Sequence, residues 1–220
     1  MKTGLILLII MSTGLFSCSQ KNKSQNKINA DIEKLDSIKI TENKKHQADN
    51  LKRFIDTEYK YIDTIIGKSL MIQNSLPKGG LEYTAPNGKR YVYAIFWTRI
   101  INEANNPVEL AIDVPATSFQ RIDSSNNYFK IFVPKKRINF DKLSLLNFGI
   151  GDLGVILDDK LQKASSLQRT ISPKDASSFY IITLFSHGLD GPVRAGISIK
   201  DGNLLYTVNG QEIQFGQINY

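Results

Sequence analysis

The chain has 220 residues, 41% of them apolar and 22% charged, a balance that excludes a wholly disordered polymer and suits one sizeable domain plus a tether. Its formal net charge of +7 is spread along the chain, which fits solubility or proximity to anionic surfaces, and no nucleic-acid partner is expected without a wide basic surface. One cysteine and two histidines exclude an internal disulfide and argue against a thiolate or imidazole metal site.

In chain order, Lys2 precedes an apolar run over residues 5–11, and the stretch closes at Leu15-Phe16-Ser17-Cys18. A positive start, a short apolar run and a small residue at the end are the parts of a signal peptide over residues 1–17. The run is too short to span a bilayer. With Leu15 at −3, Ser17 at −1 and Cys18 at +1, the segment resembles the lipobox of bacterial lipoproteins. That resemblance implies cleavage before Cys18, a diacylglycerol on its thiol and an acyl chain such as palmitate on the new amino terminus. It further implies attachment to a membrane on the extracytoplasmic side of the bacterial cell envelope, the outer membrane in a Gram-negative host. It carries a processing class, not an activity. The other reading, a secretory signal with an incidental cysteine, would leave a lone reactive thiol in an exported protein.

Residues 18–48 are rich in Lys, Asn, Gln, Ser, Asp and Glu and read as the lipidated Cys18 followed by a polar tether. Within it Ile28, Ile32, Leu35 and Ile38 share one helical face. Over residues 49–67 the spacing of Leu51, Phe54, Ile55, Ile62, Ile65 and Ile66 predicts an amphipathic helix, started by Asp49 or Asn50 and ended by Gly67.

Residues 68–220 form the predicted domain. The period changes to two there, and strands are expected over 68–73, 81–85, 90–101, 107–113, 128–133, 167–172, 178–185, 193–200, 203–208 and 211–216. Asn87-Gly88, Asp201-Gly202 and Asn209-Gly210 supply residues that tolerate the positive φ of tight hairpins, so the last three strands read as a meander. Short helical or irregular segments are expected over 140–146 and 153–161. About ten short strands without βαβ alternation predict a mainly β fold, an antiparallel β-sandwich, immunoglobulin-like or related.

Several residue groups invite a chemical reading. Gly149-Ile150-Gly151-Asp152-Leu153-Gly154 matches a dinucleotide-binding pattern by letter, but no βαβ unit surrounds it, and a glycine-rich turn or an anion-binding nest is the simpler reading. His187 and Asp190 beside Ser186 are the weak candidates for a catalytic role, although a triad's members need not be neighbours in sequence and a polar hairpin loop explains all of residues 186–191. Asp152, Asp158 and Asp159 do not have the spacing of a calcium loop.

The strand containing Tyr91, Tyr93 and Trp97 is apolar on both alternating faces. Those three rings are either a platform for a sugar or peptide, or a face covered by the 49–67 helix. Lys135-Lys136-Arg137 is the densest basic cluster, a solvated loop or a contact for an anionic polymer. No metal site and no cofactor beyond the lipid on Cys18 are expected. The reading that joins these features is a lipid-anchored, non-enzymatic binding or assembly module whose partners are the membrane and an envelope protein or polysaccharide. The alternative is an envelope hydrolase acting on a glycan or peptide.

Overall fold

Alternation with a period of two governs most of this chain between Ile55 and Asn219, broken between Phe132 and Ser165, and it builds two antiparallel sheets. The structure, a computed structural model, describes residues 51–63, 67–122, 124–188 and 191–220. The signal segment, Cys18, the 18–48 tether and Asp190 lie outside the described residues.

The strands are β1 (Ile55–Asp63), β2 (Lys68–Ser75), β3 (Lys78–Thr84), β4 (Arg90–Asn102), β5 (Val108–Val114), β6 (Phe119–Arg121) and β7 (Ser124–Phe132). After a segment with one helix, α1 (Leu153–Lys160), come β8 (Ser165–Ile171), β9 (Ala176–Phe185), β10 (Ala195–Lys200), β11 (Asn203–Val208) and β12 (Gln211–Asn219). The larger sheet runs β1-β2-β4-β9-β7-β6, and β3 pairs with the first half of β4 beside β2. The smaller sheet runs β10-β11-β12-β5-β8. Every one of these pairings is antiparallel. The mainly β, antiparallel sandwich read from the sequence is the fold.

All ten expected strands form. The meander is closed by two hairpins in which Asp201, Gly202, Asn209 and Gly210 all take positive φ, the geometry that matches hairpin twist to strand twist. In β12, a Cβ at Gly216 would stand 2.1 Å from the Ala111 carbonyl oxygen. Only glycine lets β12 approach β5 there, and the ladder with β11 slips by one residue beside it.

The structure corrects the helix expected over 49–67. Among the described residues of that segment Leu51 and Lys52 alone are helical, and residues 55–63 form β1, paired with β2 from Ile55 to Asp63. The helical stripe skipped from Ile55 to Ile62 and left out Tyr59 and Tyr61. These aromatics alternate with Glu58, Lys60 and Ile62, and they pack against the inter-sheet core. Aromatic and β-branched residues at period two fit a half-buried strand, and Ile62 lies on its outer face, 55% exposed.

β4 is buried on both sides. Ala94, Phe96 and Ile100 enter the core between the sheets, with Leu110, Ile112, Phe179, Tyr206 and Phe215. Tyr91, Tyr93, Ile95 and Trp97 enter a second core on the opposite face of the larger sheet, with Leu143, Phe148, Leu157 and Tyr180. The lid of that second core is the stretch from Ile138 to Leu161 together with Leu51 and Phe54, rather than a 49–67 helix.

The lid is pinned from below. Lys78 Nζ donates to the carbonyls of Leu143 at 2.6 Å and Leu145 at 2.7 Å, and burial pushes its pKa down. Asn147, Phe148 and Gly149 take consecutive left-handed conformations. That turn drives the Phe148 ring under the lid, where it stacks on Tyr180 with centroids 6.4 Å apart.

Asn74 joins the two sheets. Its Oδ1 accepts from the Ile197 N–H at 2.9 Å and the Thr98 hydroxyl at 2.8 Å. Its Nδ2 donates to the Ile197 carbonyl at 3.1 Å and to Thr57 Oγ1 at 3.2 Å. The side chain thus pairs with both backbone groups on the outer edge of β10. The Tyr59 hydroxyl donates to the same carbonyl at 3.0 Å.

Candidate ligand-binding site

The basic cluster gains its meaning from what stands opposite it. After β7 the chain leaves the sheet through Pro134 and bends at Lys135 before Arg137. Lys135 and Arg137 line a groove of about 760 Å3 whose other wall is Ser166, Leu167, Gln168, Arg169 and Thr170 of β8; Lys136 is not among the lining residues. β8 is the outer strand of the smaller sheet and pairs only with β5. An edge strand presents a row of N–H and C=O groups with no partner strand.

Among the described residues, no carboxylate pairs with Lys135, Arg137 or Arg169, and residues 166–170 make no hydrogen bond outside the β5 ladder. Three cations and an open strand edge therefore meet in one groove. It can accept anionic groups and backbone hydrogen bonds together.

Sequence reasoning found Lys135 and Arg137 but not Arg169. A signal was present: along β8 the inward positions are Ser165, Leu167, Arg169 and Ile171, and a guanidinium at a buried position of a period-two strand marks a rim.

Tyr91, Tyr93 and Trp97 are 5%, 6% and 0% exposed, so the platform reading gives way to a covered face. Tyr93 exchanges hydrogen bonds with the Asn147 amide, and Trp97 meets Phe140 edge-on at 6.4 Å. His187 is exposed at the end of β9. Its Nδ1 lies 3.2 Å from Ser186 Oγ, but that oxygen accepts the Tyr128 N–H at 3.0 Å while the Ser186 N–H donates to the Tyr128 carbonyl at 2.9 Å. Ser186 extends the ladder with β7, and the structure gives His187 no orienting carboxylate among the described residues.

The acidic residues separate as well. Asp158 accepts from the Tyr83 hydroxyl, and Asp159 pairs with Lys160 at 3.4 Å and with Lys163. Among the described residues no three His, Cys, Asp or Glu side chains group as metal ligands. Gly149 to Gly154 lead into α1, preceded by the left-handed turn rather than by a strand, so the context of a dinucleotide site is missing. No helix among the described residues is long and apolar enough to cross a membrane.

A second polar cluster, unseen in the sequence, lies around Tyr128. Burial would raise its phenol, but hydrogen bonds with Lys89 and Tyr91 and the charges of Lys89 and Lys130 outweigh that and lower it. Tyr91 is pushed up to about 12 by burial and by its bond to Tyr128. Lys89 Nζ stands 4.7 Å from the Tyr128 ring centre. In an absorbance titration at alkaline pH, Tyr128 is expected to ionise first, and Tyr128→Phe should remove that step. Lys89→Met should move the step to higher pH, because the cation that stabilises the phenolate is gone. An unchanged first step in both variants would contradict this network.

Compared with protein-family models, with curated proteins and with solved structures, the chain matches none of them.

Proposed function

We propose that this chain is a lipid-anchored, non-enzymatic binding or assembly module of the bacterial cell envelope, held to a membrane through Cys18 and engaging an anionic envelope component through the β8 groove. The observation that carries the binding role is the convergence of Lys135, Arg137 and Arg169 on an open strand edge without a carboxylate partner. Lys135 and Arg137 are exposed and Arg169 is half-buried, so an anionic ligand reaches three like charges without having to displace a carboxylate. The anchor rests on Leu15-Phe16-Ser17-Cys18 and supplies proximity: acyl chains on one cysteine hold a protein at a bilayer, at about 0.8 kcal/mol per buried methylene.

Two measurements test the proposal. Cells grown with labelled palmitate should label the wild-type chain, and Cys18→Ala should lose both the label and the membrane fraction. A labelled, membrane-bound Cys18→Ala chain would remove the anchor. On a sulfated-polysaccharide column, the detergent-solubilised chain carrying Arg137→Glu and Arg169→Glu should elute at clearly lower salt than wild type. Equal elution would remove the groove as an anion-binding surface.

A further inference from the structure

We infer that the β8 groove takes an extended acidic segment of another polypeptide, which adds to β8 as a sixth strand of the smaller sheet. This rests on the binding reading above and names its partner chemistry.

The two ends of the smaller sheet are treated differently by this fold. At β10 the outer backbone groups of Ile197 are occupied: Asn74 holds its N–H and C=O, and the Tyr59 hydroxyl donates to the same C=O. That edge is closed by side chains, which is one way to block unwanted strand addition. At β8 nothing comparable is present among the described residues. Asn102 Nδ2 reaches the Ile171 carbonyl at 3.0 Å, at the last residue of the strand, and leaves the stretch from Ser166 to Thr170 without outer partners.

The open edge is also the right length and chemistry. Seven residues at about 3.3 Å each give β8 a span of roughly 23 Å, enough to pair with a short extended segment. Its outward side chains, Ser166, Gln168 and Thr170, are small or neutral and carry no proline or bulge that would turn a partner away. Across the groove, Lys135 and Arg137 put two cations on the wall that faces Ser166 to Thr170.

Arg169 stands on β8 itself. Carboxylates on one face of the incoming strand would meet all three cations, two of them guanidiniums that bind carboxylate through paired N–H bonds. Main-chain hydrogen bonds then supply affinity and the carboxylates supply register and choice of partner, as in other strand-addition complexes. An anionic polysaccharide would satisfy the cations and leave the backbone row unused.

The test uses the full detergent-solubilised chain and a fluorescent eight-residue peptide alternating Glu and Thr, whose carboxylates share one face when extended. Binding read by anisotropy should weaken at least tenfold with Arg137→Glu and Arg169→Glu together. It should change less than about twofold with Lys136→Glu, a cation of the same run that does not line the groove. A peptide of the same sequence N-methylated at every residue keeps each carboxylate but has no amide hydrogen. On the wild-type chain it should bind at least tenfold more weakly.

Equal binding of the methylated and unmethylated peptides overturns strand addition, while an intact salt shift on the sulfated-polysaccharide column would still uphold the anionic groove. If the peptide does not bind and the charge-reversed chain also elutes from that column like wild type, both readings fail. Because the methylation arm uses the wild-type chain, a variant that folds poorly cannot decide the result.

Discussion

Asn74→Leu is expected to cost about 3 kcal/mol of stability and to lower the unfolding midpoint by roughly 6–12 °C for a domain of this size. Asn74 is 3% exposed, and leucine, with the same number and branching of side-chain heavy atoms, is the nearest apolar replacement in shape. What changes is polar satisfaction. The Ile197 N–H loses its acceptor and the Thr98 hydroxyl, itself buried, loses its bond to Oδ1. Each buried group left unpaired costs about 1–3 kcal/mol. The Ile197 carbonyl keeps the Tyr59 hydroxyl, which holds the total near the low end. Urea denaturation of wild type and variant measures the difference. A loss under about 1 kcal/mol would mean that the bridge between the sheets is not needed for stability. Thr57→Val, which removes one longer bond at the rim, should stay below that value.

The second large effect concerns the lid. Phe148→Ala is expected to destabilise by about 3–5 kcal/mol, as for other fully buried rings, whereas Ile62→Asp should stay within about 0.5 kcal/mol. Phe148 is buried under the lid against Tyr180 and beneath Lys78, whose Nζ lies 4.9 Å from its ring centre. Ile62 is on the solvent side of β1. The pair separates two accounts of what covers Trp97. A docked 49–67 helix would bury Ile62 and make its replacement costly; the observed lid makes Phe148 the costly position. Thermal unfolding of both variants decides between them, and a Phe148→Ala chain as stable as wild type would show that the second core contributes nothing.

Legibility in the sequence followed the range of the interactions involved. The two-sided character of β4 was readable because Val92, Ala94 and Phe96 alternate with Tyr91, Tyr93, Ile95 and Trp97, and no face was left polar for water. What covered each face was not readable. The lid residues Leu143 and Phe148 lie at short turns, and Leu157 is the buried residue of the eight-residue α1, so the apolar spacing across the lid has no sustained period to detect.

The same limit explains the candidate sites. Tyr91, Tyr93 and Trp97 looked like a ligand platform because aromatic rings on a strand have the same sequence signature whether a sugar or Phe140 sits against them. Ser and Asp near His187 in sequence invite a triad reading beside that of a hairpin loop, and only the tertiary structure shows the Ser186 hydroxyl engaged by the Tyr128 backbone from another strand. The basic run at Lys135 was visible as charge. Its pairing with Arg169, more than thirty residues later, depends on β8 forming the edge of its sheet.

By itself the sequence determined the strand positions from β2 onward with the exception of the short β6, the positive-φ hairpins at Asp201 and Asn209, and the antiparallel class. Each of these is written in neighbouring residues: a period of two, a turn pair. Tertiary structure alone decided that 55–63 is a strand, because β1 exists only through its ladder with β2. It alone also decided which edge of the smaller sheet is closed by Asn74 and which faces Lys135, Arg137 and Arg169. Local periodicity reports which way a side chain points; the groups it meets come from distant parts of the chain, and their free energy appears only once the sheets have assembled.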